Sequence, residues 1–319
     1  MSPRVRIYGI VAACAVAAAG LTVGLTLATR TTPPKATQAR AGRPPLELDL
    51  GVRTDREAVD LRRAANLYNA GKVAQAARIF ARYSSVEAQV GAALAAWPGG
   101  FSKLRTLADE HSHESVVQLN YGLGLFWRGD DAGAEAAWSA ARRAQPDTPY
   151  AVHAEDLLHP NFPRGLPTFV PSFDPPAELA KLSPPQQLAF LQRDARGKDE
   201  HARLLYGVAL QRLGRPVSAL RAFESAAALA PRDPEAQVAV AVGRFDKADP
   251  SRTFSLLGPL AKRYPASQSV RFHLGLCLLW LASVKQAEQE LRLASAAGPR
   301  TPLGVEAAAF LAKLKRIGH

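Results

Sequence analysis

The sequence predicts an all-α fold of stacked helical hairpins, and three observations support this prediction. Prolines stand at Pro231, Pro265 and Pro299, each 34 positions from the next, within the stretch that begins at Ala202. Small and large apolar residues recur at fixed offsets before these prolines, which indicates one repeated unit. Gly214 lies where the first helix of a pair must end. A hairpin this short cannot bury its apolar face alone, so the units are expected to stack.

The recurring offsets have a physical explanation. Two helices that cross closely need small residues at the contact, and Gly207 and Ala219 in one unit match Gly275 and Ala287 in another. Large apolar residues one turn away fill the space on either side of that contact. A glycine suits the left-handed turn after the first helix, and a proline stops the second. Each unit is therefore predicted to be a helical hairpin.

At these residues the chain resembles the tetratricopeptide repeat (TPR), which has small and large apolar residues at these spacings and a proline that closes each unit. A further copy runs from Gln118 to Pro146, and a copy without its proline runs from Ala64 to Phe80. Between them, Val86–Glu114 is a shortened copy. The resemblance covers most of Arg56–Pro299, in six units of unequal quality. It implies an all-α, right-handed superhelical solenoid of TPR-like helical hairpins, in two blocks joined by a Pro-rich segment.

Composition divides the chain into six segments. They are a short basic tail (1–6), a transmembrane signal anchor (7–28), a flexible Pro/Ala/Arg linker (29–50), a first TPR-like block (51–158), a Pro-rich segment (159–185), and a second TPR-like block with a C-terminal capping helix (186–319).

The predicted anchor rests on one apolar run. Ile7–Ala28 has no charged residue over 22 positions, and as a helix it would extend about 33 Å. Secretory h-regions are usually shorter, about 7 to 15 residues, so the length favours an anchor. A signal peptide cleaved near Thr26–Ala28 stays open as the alternative, and lipidation at Cys14 is disfavoured because the apolar residues mostly follow it. The basic tail and the Thr/Pro spacer favour a cell-membrane protein with its N-terminus inside and its body extracytoplasmic.

Two proline-rich stretches flank the first block. Residues 36–49 are predicted to be a flexible arm that holds the body away from the membrane. Eight prolines lie between Pro160 and Pro185, a stretch that also contains Phe162 and Phe169 and is too apolar for a free tether. Two placements are open for it: in the groove of the solenoid, or over the joint between the blocks. We favour the joint, because loops usually cover nearby apolar surface.

Charge and cysteine content exclude some classes of protein. The net charge is +12, but residues 1–43 contain six of the 40 basic residues and no acidic one. The remaining 34 basic and 28 acidic residues are mixed along the body, without the basic stripe of a nucleic-acid binder. Cys14 and Cys277 are poorly placed to pair, and Cys277 is predicted to be a small buried apolar residue.

The sequence contains no recognisable catalytic constellation, and we predict neither an enzyme nor a cofactor or metal site. His111 and His113 lie in a polar stretch with no further ligand spacing. Gly122 and Gly124 lie inside a repeat helix instead of after a strand, so they are packing residues.

The TPR resemblance implies a binding site instead. In TPR proteins the first helices of the hairpins line a groove that binds extended or helical peptides. Carried over position by position, the partner-binding residues are Leu119, Asn120, Leu123, Phe126, Trp127, Leu204, Val208, Arg212, Phe272, His273, Leu276 and Trp280, with Leu205, Gln211 and Leu279 beside them. An exposed apolar strip of this kind usually marks a partner site. The alternative is that these residues belong to the core.

The function predicted from the sequence is a membrane-tethered scaffold or adaptor that binds a protein or peptide in its groove, in assembly of a bacterial envelope complex. Three alternatives stay open. The first is a cytoplasm-facing regulator with the same groove. The second is a subunit of an enzyme complex or a cryptic hydrolase, and the third is a protein that binds envelope glycan. For the localisation, secretion after signal cleavage is the alternative.

Overall fold

A computed structural model describes residues 39–317, and these residues divide into two compact units. The first unit ends at Pro160 and the second begins at Asn161. The described residues form fifteen α-helices and one short 3-10 helix, Ala177–Lys181, with no β-strand among them. The predicted all-α fold is confirmed.

The first unit contains three helical hairpins and a further helix. Its helices are α1 (Arg56–Asn69), α2 (Val73–Phe80), α3 (Val86–Ala95), α4 (Phe101–Glu110), α5 (Ser115–Trp127), α6 (Asp131–Ala144) and α7 (Pro149–Leu158).

The second unit begins with a lead-in helix and then repeats the same arrangement. Its helices are α8 (Pro184–Asp194), α9 (Glu200–Arg212), α10 (Pro216–Leu229), α11 (Pro234–Gly243), α12 (Ser251–Arg263), α13 (Gln268–Trp280), α14 (Val284–Ala297) and α15 (Pro302–Ile317).

In the hairpins α5/α6 and α9/α10 the two helices approach closely at a glycine of the first helix. A Cβ atom at Gly122 would overlap the Trp138 ring, and one at Gly207 would overlap the Phe223 ring. The turn between two helices of a pair also matches the prediction, because Gly214 has a φ of +64°. An L-residue is strained in that conformation, whereas glycine adopts it freely. The glycines therefore set both the crossing of the helices and the reversal of the chain.

The first helices of the hairpins form a continuous layer in each unit. In the first unit α1 contacts α3, α3 contacts α5, and α5 contacts α7. In the second unit α9, α11, α13 and α15 contact one another in the same sequential way. We call this row of helices the first-helix layer, and it is the surface on which the sequence placed the partner-binding residues.

The linker that was expected to be flexible is packed where the structure describes it. Pro44 and Leu46 are buried, with Leu46 only 1 % exposed, and Leu50 is buried as well. Leu46 and Leu50 belong to the hydrophobic core of the first unit. The prediction of a free arm over residues 36–49 is therefore wrong for this part, because apolar side chains at alternate positions tie the segment to the helices.

The start of the Pro-rich segment is packed in a comparable way. Phe169 is 1 % exposed and lies in the hydrophobic core of the second unit, with Phe173 against the same cluster. The segment contacts α9, α11 and α13, as detailed below. It therefore takes the groove placement, which the sequence left open but did not favour.

No helix within residues 39–317 combines the length and the apolarity needed to cross a bilayer. The predicted anchor, residues 7–28, lies outside the described residues.

Candidate peptide-binding grooves

In the first unit, residues 40–50 cross the first-helix layer as an extended segment, which we call the first resident segment. Burial alternates along it: Pro44 and Leu46 are buried, whereas Pro45 and Glu47 are half-buried. Such alternation is the signature of an extended backbone. The segment lies between α1 and α5, which flank α3 in the layer. We call the strip of the layer that it occupies the first groove.

Two asparagines bind the backbone of this segment from opposite sides. Leu46 donates its N–H to Asn69 Oδ1 (3.0 Å), and Asn69 Nδ2 donates to the Leu46 carbonyl (2.9 Å). Glu47 donates its N–H to Asn120 Oδ1 (3.0 Å), and Asn120 Nδ2 donates to the Glu47 carbonyl (2.9 Å). Successive residues of an extended chain direct their backbone groups to opposite sides, which is why α1 pairs with one residue and α5 with the next.

Two tyrosines extend the same mode of recognition. The Tyr150 hydroxyl accepts from the Asp49 N–H (3.2 Å) and donates to the Asp49 carbonyl (2.7 Å). The Tyr68 hydroxyl donates to the Pro44 carbonyl (2.7 Å). Burial raises the pKa of Tyr68 to about 12, so its phenol stays protonated and remains a donor. Side chains on α1, α5 and α7 thus satisfy most of the buried backbone of the segment.

Arg40 fixes the beginning of the segment at the C-terminal end of α5. Its backbone N–H donates to the Trp127 carbonyl (2.8 Å) and its guanidinium donates to the Phe126 carbonyl. The guanidinium also lies 3.4 Å from the centroid of the Phe126 ring, within cation–π distance. Its Nη1 pairs with Asp131 at 3.2 Å. These contacts hold the segment in register from its first residue.

In the second unit, residues 162–173 form the second resident segment on the corresponding layer, in what we call the second groove. Phe169 donates its N–H to Gln211 Oε1 on α9 (3.0 Å), and Val170 donates its N–H to His273 Nε2 on α13 (2.9 Å). The Phe169 ring stacks on His273, with 5.0 Å between centroids, and meets Phe223 edge-on at 5.5 Å. His273 on α13 therefore contacts both the anchoring side chain and the backbone of the segment.

The hydrogen bonds of His273 define its tautomer. Nδ1 lies 2.7 Å from the Ser269 carbonyl and must carry the proton, so Nε2 is the acceptor for the Val170 N–H. The ring is fully buried, and burial lowers the pKa of His273 to about 4. At neutral pH the imidazole is therefore uncharged, which the acceptor role requires.

The two ends of the second resident segment are held by charged and aromatic groups. At its start, the buried Lys247 donates to the Pro163 carbonyl (2.8 Å), and its ammonium lies 5.6 Å from the Trp280 ring centroid. Further along, the Ser172 N–H and hydroxyl both donate to the Glu235 carboxylate. Burial raises the pKa of Glu235, and the bonds from Ser172 oppose that effect.

The residues predicted to bind a partner do not form an exposed apolar strip. Phe126, Trp127 and Leu276 are half-buried, and Arg212 is exposed. The remaining predicted residues are buried: Leu119, Asn120, Leu123, Leu204, Val208, Phe272, His273 and Trp280. Of the whole set, Asn120, Phe126, Trp127 and His273 contact the resident segments directly.

Sequence reasoning missed other groove residues. Asn69 is the last residue of α1, Tyr150 is in the first turn of α7, and Glu235 is in the first turn of α11. The signal that could have found the first segment is the alternation of Leu46, Leu48 and Leu50 with acidic residues, which is typical of a half-buried extended strand.

Among residues 39–317, no three side chains of the metal-ligating types come together. Cys277 is fully buried, as predicted, and burial raises the pKa of its thiol to about 12. A thiol this buried and this weakly acidic is not a nucleophile at neutral pH.

The sequence matches no protein-family model and no curated protein. Solved structures with similarity include YrrB, described as a TPR protein with an unusual peptide-binding site, at 14% identity and a TM-score of 0.32 over 66% of this chain and 99% of that one. The Cut9–Hcn1 structure of the APC/C matches at 14% identity and a TM-score of 0.33, covering 81% of this chain and 56% of that one. Yeast Tom70 matches at 14% identity and a TM-score of 0.31, covering 82% of this chain and 66% of that one.

The helical hairpins of this chain, the residue spacings within them and the glycine contacts between their helices make it a TPR-like helical protein.

Asn120→Ala is expected to loosen the first resident segment, because it leaves the N–H and carbonyl of Glu47 without partners in a half-buried site. At about 1 to 3 kcal/mol for each unsatisfied buried group, the free energy of unfolding should fall by about 2 kcal/mol or more. The variant should melt at a lower temperature, and trypsin should cut faster after Arg40. The exposed Asn66→Ala, on α1, is the matched control and should behave as wild type. An Asn120→Ala protein with wild-type stability and an uncut Arg40 would show that these bonds do not hold the segment.

Acidification is expected to destabilise the second unit through His273. Its pKa is about 4 when folded and about 6.5 when unfolded, so the unfolded chain binds the extra proton between these values. The free energy of unfolding should fall by about 3 kcal/mol as the pH drops from 6.5 to 4. In His273→Asn that component of the pH dependence should disappear, whereas the opposing contribution of Glu235 stays in both proteins. Parallel pH profiles from urea unfolding of the two proteins would contradict this assignment.

Proposed function

We propose that this chain is a membrane-tethered scaffold whose protein partners bind as extended peptides on the first-helix layer. One observation supports this most strongly: Asn69 and Asn120 each pair with both backbone groups of one residue in an extended segment. Side chains that bind backbone groups accept a range of sequences, and pockets for alternate side chains then supply selectivity. The first unit therefore contains a complete set of groups for peptide recognition, of which Asn120 was among the residues predicted from the sequence.

The resident segments define how a partner would bind. A partner peptide would replace a resident segment and contact Asn120, Phe126 and Trp127 in the first groove, or His273 and Gln211 in the second. The resident segment competes as a tethered ligand, with an effective concentration that is in the millimolar range for short linkers. A partner peptide must therefore place an apolar side chain and a backbone in the groove that fit at least as well as those of the resident segment. The scaffold would then engage only proteins that match the groove closely.

The tether and the location belong to the same proposal. The 22-residue apolar run Ile7–Ala28 supports one membrane span, and the basic tail before it supports a helical body outside the cytoplasm. We propose a role in assembly of a bacterial envelope complex on that basis.

Alkaline phosphatase fused after His319 tests the orientation, because this enzyme matures only outside the cytoplasm. The fusion is expected to be active and to sediment with membranes. A fusion of green fluorescent protein, which folds in the cytoplasm, is the matched control and should be dark. The opposite pattern would place the body inside, and an active fusion in the medium would indicate signal cleavage.

A peptide added to the full-length chain tests the groove. Leu46→Asp places a carboxylate at a position that is 1 % exposed, so the resident segment should leave its groove. A labelled peptide of residues 39–50 is expected to bind this variant at least ten-fold more tightly than it binds the wild type, as measured by fluorescence anisotropy. Adding Asn120→Ala to this variant should weaken binding of the peptide by ten-fold or more, because two backbone groups of the peptide lose their partners.

Circular dichroism checks that both variants keep their helices. A folded Leu46→Asp protein that does not bind the peptide would contradict the proposed groove, and so would a peptide that binds equally well with and without Asn120.

A further inference from the structure

The two resident segments share one sequence pattern in one structural register. Gly42–Leu46 reads Gly-Arg-Pro-Pro-Leu, and Gly165–Phe169 reads Gly-Leu-Pro-Thr-Phe. The two glycines have φ values of +82° and +80°. The proline two positions later is buried in both, and the apolar residue two positions after that is 1 % exposed in both. The positions between them have nothing in common and are half-buried or exposed.

The helices that hold the two segments also correspond. Helices α5 and α13 each have 13 residues and end with a tryptophan. Asn120 and His273 both occupy the sixth position of their helix, and each accepts from the N–H of the residue that follows the apolar anchor. On α1 and on α9, the first helices of the first hairpin in each unit, Asn69 and Gln211 accept from the N–H of the anchor itself. Two units with different side chains therefore accept from the same two backbone N–H groups, those of the anchor and of the residue after it.

Each position of the shared pattern has a physical role. Gly42 and Gly165 have open space where a Cβ would be, so the requirement for glycine comes from the positive φ. The carbonyl of Gly42 accepts from Trp97 Nε1 (3.1 Å), and this left-handed turn directs the chain into the groove. A buried proline brings no N–H that would need a partner. The anchor, two residues further on, lies on the same face of the extended chain as the proline and enters the core.

We propose that each groove selects an extended peptide with the pattern Gly-x-Pro-x-large apolar, and that the protein partners of this scaffold carry such a segment. This inference rests on the proposed function and names the class of ligand for the same grooves. The occupant is a segment of another protein. It binds in the direction of the resident segment, from the C-terminal ends of the first helices toward their N-terminal ends, as the contacts of Arg40 with Trp127 and of Asp49 with Tyr150 show for the first unit. The residues between the three shared positions vary freely.

The test is a competition on the full-length Leu46→Asp protein. The labelled peptide of residues 39–50 occupies the first groove, and the unlabelled peptide of residues 161–173 is added as a competitor. The proposal predicts competition within about ten-fold of unlabelled 39–50, although the two peptides share only the pattern. In the competitor, Gly165→Ala should weaken binding about five- to thirty-fold, because an L-residue at this φ costs that much. Thr168→Ala, at a variable position, is the matched control and should change binding less than three-fold.

The outcomes separate the pattern from the groove. If labelled 39–50 binds but 161–173 does not compete, or if Gly165→Ala competes as well as its parent, the pattern is wrong and the groove stands. If labelled 39–50 does not bind a folded protein, the proposed function itself fails, and this inference fails with it.

A reciprocal experiment protects against misfolding of the first variant. Phe169→Asp in the full-length chain should open the second groove to labelled 161–173, and unlabelled 39–50 should compete there with the same dependence on Gly42. Competition in this direction supports the pattern, and its absence overturns it.

If the wild type instead forms dimers that the 39–50 peptide dissociates, the occupant is a second copy, and the assignment to another protein is overturned.

Discussion

The burial of an extended backbone is the constraint on which both units depend. Each residue of a segment without helix or strand has a carbonyl and, unless it is proline, an N–H that must find partners once they leave water. In the first unit Asn69, Asn120 and Tyr150 each satisfy both groups of one residue. An unsatisfied buried group costs about 1 to 3 kcal/mol, which is comparable to the gain from burying one leucine side chain. The segments are therefore held by these polar side chains as well as by their buried apolar residues.

The same constraint explains why the first-helix layer looks as it does. A stack of helical hairpins needs apolar residues on this layer for contact between neighbouring first helices, and Leu119 and Leu204 serve that purpose. Asn120 and His273 are buried polar residues among them, and packing alone does not require a polar side chain there. Their bonds to Glu47 and Val170 supply the reason. A groove built in this way is suited to peptides, because its polar groups are already oriented toward a backbone.

The sequence predicted the helices well because their determinants are local. The spacing of Pro231, Pro265 and Pro299, and the small residues such as Gly207, were sufficient to predict the hairpins and the turn at Gly214. The packing of the resident segments could not be predicted from local sequence in this way. Residues 36–49 have the Pro, Gly, Ala and Arg composition of a flexible arm, and nothing local shows that Asn69 and Asn120 will meet their backbone.

The site was predicted only in part for a related reason. The position-by-position transfer named Asn120 and His273, and in the structure both side chains bond to the resident segments. It could not show that the chain itself covers them, because a contact between residues 73 or 103 positions apart leaves no trace in one sequence. Whether Trp280 is covered or open depends on where the Pro-rich segment lies. Residues 162–173 of that segment pack on the second unit, and Trp280 is buried.

Hydrogen exchange of the full-length protein, followed by mass spectrometry, tests this account most directly. The peptides of interest contain the amides of Leu46, Glu47, Phe169 and Val170, which lie outside any helix or strand but donate to side chains of the first-helix layer. The account predicts that these amides exchange as slowly as those of α5 and α13, and that Asn120→Ala releases only Leu46 and Glu47. Exchange of all four within seconds, at the rate of an unstructured chain, would show that the segments do not occupy the grooves.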